Sequence, residues 1–143
     1  MALAETAKVA LADTFALYLK SHNFHWNIEG PEFAQYHSFL DGFYNEVWGA
    51  VDAIAEQIRT LDVYVPGSFL RYKELSTIED ETKVPTAINM LKKLEADNKK
   101  VIASLTAAYK DAEKEDRPGF SNFLQGRIEA HDKHGWMLRA LTK

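Results

Sequence analysis

The chain contains no cysteine, which removes disulfides, thiolate metal sites and cysteine nucleophiles and leaves nitrogen and oxygen donors only. It has four prolines and seven glycines in 143 residues, too few for a loop-rich, collagenous or low-complexity protein. No window approaches 18 uninterrupted apolar residues, so no segment is expected to span a membrane. The opening Met-Ala-Leu-Ala-Glu lacks the basic stretch and apolar run of a secretory signal, and a cytoplasmic protein is the expectation. Excess positive charge is also missing. The formal net charge is −4, so bulk charge favours neither nucleic acid nor an anionic membrane. No run of alternating β-branched residues long enough for a strand is present.

What remains is a sequence with 46% hydrophobic and 27% charged residues, patterned at helical spacing. Residues 3–25 form a first amphipathic helix, with Leu3, Val9, Leu11, Phe15, Leu17 and Leu19 among its apolar positions. Glu29-Gly30-Pro31 breaks it, and Pro31 suits the first turn of the next helix. That helix covers about 32–62, with Phe33, Tyr36, Leu40, Phe43, Val47, Val51, Ile54, Ile58 and Leu61 recurring every three or four residues. Val65-Pro66-Gly67 closes it, and a short helix is expected near Phe69–Lys73 in the long connection that follows. Pro85 opens a third long helix, about 85–114, with Ile88, Leu91, Leu94, Ile102 and Leu105 inward; a fourth covers about 119–141, with Phe123, Leu124, Ile128, Met137 and Leu138. These elements predict an all-α protein. Its architecture is a ferritin-like four-helix bundle with a short extra helix between helices two and three, residues 1–143 forming one domain.

The second helix carries the informative spacing. His37 and Asp41 are one turn apart, and Asp52 and Glu56 repeat that separation. On a helical wheel all four fall within about 100° of one another, beside the apolar stripe and outside it. Asp41 and Asp52 are nonetheless eleven residues apart, about 16 Å along the axis, too far for one metal ion. Both pairs share a midpoint between Glu46 and Val47. Two copies of the helix packed antiparallel about a two-fold axis there would set His37 and Asp41 against Glu56 and Asp52 of the partner subunit. Gly49 would then lie opposite Tyr44, and Asn45 opposite Trp48. Carboxylates with imidazole suit Fe(II), and equally Zn(II) or Mn(II). The spacing thus predicts metal sites that exist only between subunits of a homo-oligomer.

The string His25-Trp26-Asn27, then Gly30-Pro31, Phe33, His37, Leu40-Asp41 and Asp52-x-Ile54-Ala55-Glu56 resembles the Dps family, the mini-ferritins also known as DNA-binding proteins from starved cells. Pro66-Gly67-Ser68 and His131-Asp132-Lys133-His134-Gly135-Trp136-Met137-Leu138-Arg139-Ala140 are similar to later blocks of that family, so the resemblance covers nearly the whole chain. It implies a hollow dodecamer with a ferroxidase centre at each two-fold interface, oxidising Fe(II) with hydrogen peroxide or dioxygen and storing Fe(III) oxide. The iron ligands it implies are His25, His37 and Asp41 from one subunit with Asp52 and Glu56 from its neighbour, and it places Trp26 beside them as an aromatic that quenches stray oxidants. The ordinary ferritin arrangement needs a Glu-x-x-His motif inside one subunit, and this chain has none.

Other residues are read more plainly. His22 precedes the site by one turn and is taken as a non-ligand. His131 and His134 are taken as part of a wet polar face, and Trp136 and Met137 as core. Lys92, Lys93, Lys99 and Lys100 form a basic patch read as a solvated face; with only Lys8 in the opening stretch, strong DNA binding is not expected. The turn before the fourth helix is acidic (Asp111, Glu113, Glu115, Asp116), but Asn122 stands where the resemblance implies a pore-lining aspartate, predicting slower iron uptake.

Overall fold

A computed structural model describes residues Met1–Lys143 and contains five helices and no strands. The helices are α1 (Ala2–Asn27), α2 (Phe33–Arg59), α3 (Phe69–Leu75), α4 (Ala87–Lys114) and α5 (Pro118–Leu141). No helix is long and apolar enough to cross a membrane. Three boundaries differ from the sequence expectation. The second helix stops at Arg59 because Leu61 and Asp62 enter a turn in which Asp62 takes φ 62°. The fourth begins at Ala87, since Thr86 is the N-cap and its hydroxyl accepts from Asn89 N–H at 3.3 Å. The first runs on to Asn27, ended by the turn in which Gly30 adopts φ 121°. Only glycine enters that region without strain, so this residue sets the chain reversal that brings α2 back along α1.

One core of 25 buried residues joins the four long helices, with Phe24, Leu40, Ile54, Ile58, Met90, Leu105 and Leu124 among its largest members. Burying side chains of this kind stabilises by about 1.5–3 kcal/mol each. The α1 helix packs against both α2 and α4, and α4 against α5, whereas the α2 and α5 backbones stand further apart and meet mainly through side chains. A cleft of about 370 Å³ therefore opens between them, lined by Phe39, Phe43, Glu46, Lys133, His134 and Met137. Four residues read as inward are at the surface instead: Leu19, Phe33, Ile88 and Trp136 lie 40–58% exposed. Each falls at the edge of its helix's stripe, where no second helix covers it.

The long connection is pinned by Asp13, a fully buried carboxylate on α1. It accepts from Ser76 Oγ (2.8 Å), Thr77 N–H (2.6 Å), Thr77 Oγ1 (2.8 Å) and Ser104 Oγ, tying α1, α4 and the segment after α3 together. Deeper along the same seam, Lys20 pairs with buried Asp97 at 2.9 Å and donates to the Glu79 carbonyl. With α1 held this way and α2 packed along it, the facing ends of the two helices come together around His25 and His37.

Candidate metal centre

His25 lies near the end of α1 and His37 in the second turn of α2, and the Gly30 reversal brings them ring to ring. Their centroids are 3.8 Å apart with planes 14° from parallel. His25 Nδ1 sits 2.9 Å from the His37 carbonyl oxygen, and His37 Nδ1 sits 2.7 Å from the His25 carbonyl oxygen. A carbonyl can only accept, so both Nδ1 atoms must carry the proton. In the neutral form of each ring this leaves the Nε2 lone pair free, and neither Nε2 is hydrogen-bonded within the chain. This is the arrangement by which outer partners orient imidazoles for a metal. His25 is buried and His37 half-buried, with Phe33 stacked on His37 at 4.8 Å.

Asp41 is exposed one turn beyond His37, and Asp52 and Glu56 are exposed further along α2, beside the buried stripe. Within one subunit no three His, Asp or Glu side chains are grouped to hold a metal ion. The structure thus unites His25 with His37 and leaves Asp52 and Glu56 in a separate place on the same helix.

An aromatic cluster adjoins the imidazole pair. His22 stacks on Tyr44 (3.8 Å, 11°) and lies 4.0 Å from the Trp26 ring; Tyr44 is 5.1 Å from His25. Tyr18 shares a 2.9 Å hydrogen bond with His22 Nδ1 and packs on Trp48 at 4.7 Å. Burial and the neighbouring His25 lower the His22 pKa, while Asp41 opposes them. Trp26 itself is 60% exposed, in keeping with a position at the rim. Tyr18, His22 and Trp26 stand at i, i+4 and i+8 on α1, a spacing visible in the sequence but without meaning until Tyr44 is seen between His22 and His25.

The reading of His131 and His134 as a wet polar face is wrong. His131 is fully buried and His134 is 9% exposed. His131 Nδ1 donates to Asn98 Oδ1 at 2.7 Å, Asn98 donates back to the His131 carbonyl at 2.8 Å, and Arg127 donates to His131 Nε2 at 3.1 Å. Burial, the Arg127 charge and His134 push the His131 pKa down to about 3. Arg127 also grips Glu46 through two hydrogen bonds (2.6 and 3.0 Å), and His134 Nε2 lies 2.7 Å from the same carboxylate. Burial opposes ionisation of Glu46, but the bonds from His134 and Arg127 outweigh it and hold this carboxyl well below the usual range. This network ties α2 to α4 and α5. A side chain at Gly135 would press on Asn98 and Arg139 within 3.2 Å, whereas a methyl at Gly49 meets nothing within 4 Å, so no contact inside the subunit requires glycine there.

The Ferritin-like domain family matches residues 8–143, which places the chain in the class of ferritin-like helical bundles. The chain is 31% identical over 136 residues to DNA protection during starvation protein 2 of Bacillus anthracis, covering 95% of this chain and 93% of that one. Among solved structures it superposes on antigen TpF1 of Treponema pallidum with a TM-score of 0.95 at 31% identity, covering 99% of this chain and 92% of the other. A Dps protein of Vibrio cholerae, described as a member of a broad superfamily of ferritin-like diiron-carboxylate proteins, gives 0.94 at 26%, covering 99% and 89%. The chain belongs to the Dps family of the ferritin-like superfamily.

Proposed function

We propose that this protein is a ferroxidase that oxidises Fe(II) with hydrogen peroxide at sites shared between two subunits and stores the resulting Fe(III) as oxide inside a hollow dodecamer. Each site is built from His25, His37 and Asp41 of one subunit with the partner subunit's Asp52 and Glu56, and Trp26 stands beside it as an oxidant-quenching aromatic. The observation that carries this reading is the reciprocal bonding of the two imidazoles, which spends both Nδ1 protons on backbone carbonyls and presents two Nε2 donors.

The chemistry suits the donors. Two neutral imidazoles with a few carboxylates form a borderline-to-hard set that accepts Fe(II), and also Zn(II) or Mn(II), while leaving positions open to an oxidant. Two Fe(II) passing two electrons to one hydrogen peroxide, with two protons, yield two Fe(III) and two waters. A lone Fe(II) would instead release hydroxyl radical. The partner subunit's carboxylates offset the charge of a second ion held close to the first. As part of the same reading, the whole chain acts as one domain whose assembly completes the site.

Optical monitoring of Fe(II) oxidation, first with hydrogen peroxide and then with dioxygen, tests this. The protein should outpace protein-free buffer with peroxide, and His25→Ala should lose most of the gain. Removing His25 deletes one of the two imidazole donors, while the position-25 carbonyl that accepts from His37 Nδ1 remains, so the loss is that of a ligand. Oxidation no faster than in buffer alone would sink the proposal.

A further inference from the structure

The Tyr18–His22 pair is not accounted for by metal binding. The Tyr18 hydroxyl makes one hydrogen bond, 2.9 Å from His22 Nδ1. A phenol is the stronger donor of the two and an imidazole nitrogen the stronger acceptor, so the bond runs O–H to Nδ1. His22 is held by Tyr44 on one side (3.8 Å) and Trp26 at 4.0 Å, and Tyr44 reaches His25 at 5.1 Å. An unbroken series of ring contacts thus leads from the imidazole pair to a tyrosine whose proton already has a base waiting.

One-electron oxidation turns a phenol into a strong acid, and the reaction is favourable only if the proton leaves with the electron. The O–H···Nδ1 bond supplies that exit without any diffusion. Indoles and phenols without such a base hold an electron vacancy less well, so Tyr18 is where a vacancy arriving at this cluster comes to rest. We propose that Tyr18 is a proton-coupled electron donor that completes the reduction of peroxide when only one Fe(II) is in place, with His22 receiving its proton; this rests on the Fe(II)-oxidising reading of the His25–His37 site. The first Fe(II) gives one electron to hydrogen peroxide, breaking the O–O bond to form Fe(III), hydroxide and hydroxyl radical. The radical takes an electron from Tyr18 and becomes hydroxide, the phenolic O–H breaks, and an N–H forms at His22 Nδ1. The products are one Fe(III), two hydroxides, a neutral phenoxyl and an imidazolium. A second Fe(II) then returns an electron to the phenoxyl, which recovers its proton from His22. The sum is two Fe(II) oxidised per peroxide, although the two ions arrive in turn.

The test uses the assembled protein in two arms. One mixes about one Fe(II) per site with hydrogen peroxide and freezes the mixture rapidly for high-field electron paramagnetic resonance. The other generates hydroxyl radicals by pulse radiolysis with no metal present. A tyrosyl signal is expected in both, lost in Tyr18→Phe and kept in the control Tyr64→Phe, whose ring is 88% exposed. In His22→Gln the largest g value of the phenoxyl should shift, since it reports the hydrogen bond to the radical oxygen; this readout needs no variant at Tyr18. An undiminished signal in Tyr18→Phe, or an unmoved g value in His22→Gln, overturns the proposal. A Tyr18-dependent signal under radiolysis with none from Fe(II) and peroxide overturns Tyr18's part in peroxide reduction and leaves the iron-site reading intact; that reading fails separately, if Fe(II) oxidation is no faster than in buffer.

Discussion

If the site is completed across a two-fold axis, two inactive variants should restore activity when mixed, by an amount that the geometry fixes. Take His37→Ala/Asp41→Ala, which lacks the imidazole half, and Asp52→Ala/Glu56→Ala, which lacks the carboxylate half. Each alone has no complete site. Combined in equal amounts and refolded together, they pair at random, and about half the dimers contain one of each. A mixed dimer has one site in which both halves are damaged and one in which both are intact. About a quarter of the wild-type number of sites should therefore return, with about a quarter of the peroxide-dependent Fe(II) oxidation per subunit. A site enclosed in one subunit predicts zero, because each variant would carry its own damage into every dimer.

The assay is the initial rate of Fe(II) oxidation after co-refolding, with size-exclusion chromatography to show equal assembly. All four positions are half-buried or exposed on α2, away from the stripe that includes Leu40, Val47 and Ile54, so truncation should cost the fold little. No recovery in properly assembled mixtures would refute the two-fold site.

Three further outcomes follow from the packing. The folded-state pKa of His131 is about 3 against an ordinary 6.5, so the unfolded chain takes up its proton first, and the stability due to neutral His131 is lost as pH falls through that window. Between pH 7 and pH 5 the loss is about 2 kcal/mol; urea titrations at both pH values should show it, and an equally steep loss in His131→Gln would contradict it. Asp13→Ala leaves the Ser76 and Ser104 hydroxyls and both Thr77 donors without their acceptor and should cost about 2–4 kcal/mol, read as a lower urea midpoint at unchanged slope. On the basic patch of α4, Lys93 pairs with Glu81, Lys99 with Glu95, and Lys100 donates to the Thr77 carbonyl. Gel-shift titrations should accordingly show no stable DNA complex at about 0.15 M salt, and a persistent shift there would defeat this expectation.

The elements and the α2 spacing were legible because periodicity and i,i+4 separations are local. The pairing of His25 with His37 across the Gly30 turn was available only through the family resemblance, since no spacing rule specifies two imidazoles exchanging bonds with each other's backbone. Glu46 with His134, 88 positions apart, and Asn98 with His131, 33 apart, were illegible for a plainer reason. The string His-Asp-Lys-His looks polar and wet on its own, and only the packing of α5 against α4 and α2 buries its two histidines. Thr86 was hidden by the stronger signal of Pro85, and Leu19, Phe33 and Ile88 by stripes whose edges no neighbour covers.

The proposed two-fold arrangement would also carry an electrostatic cost. It would set Asp41 against the partner subunit's Asp52, and His37 beside its Glu56, at either end of a centre made of uncharged Asn45, Trp48 and Gly49. Two carboxylates brought within about 4 Å repel by about 4 kcal/mol where the effective dielectric constant is near 20. A divalent cation between them reverses the sign. The assembly should therefore be weaker without metal at neutral pH and stronger with it, and an ion bound at 100 times its dissociation constant adds about 2.7 kcal/mol per site. Zn(II) is the suitable probe because it cannot be oxidised. Light scattering across a denaturant series should show the oligomer persisting to higher denaturant with Zn(II) than with chelator. In Asp52→Asn the metal-free assembly should gain strength and the response to Zn(II) should fall. An oligomer indifferent to Zn(II), with Asp52→Asn no tighter than wild type, would mean that these carboxylates do not face each other across the axis.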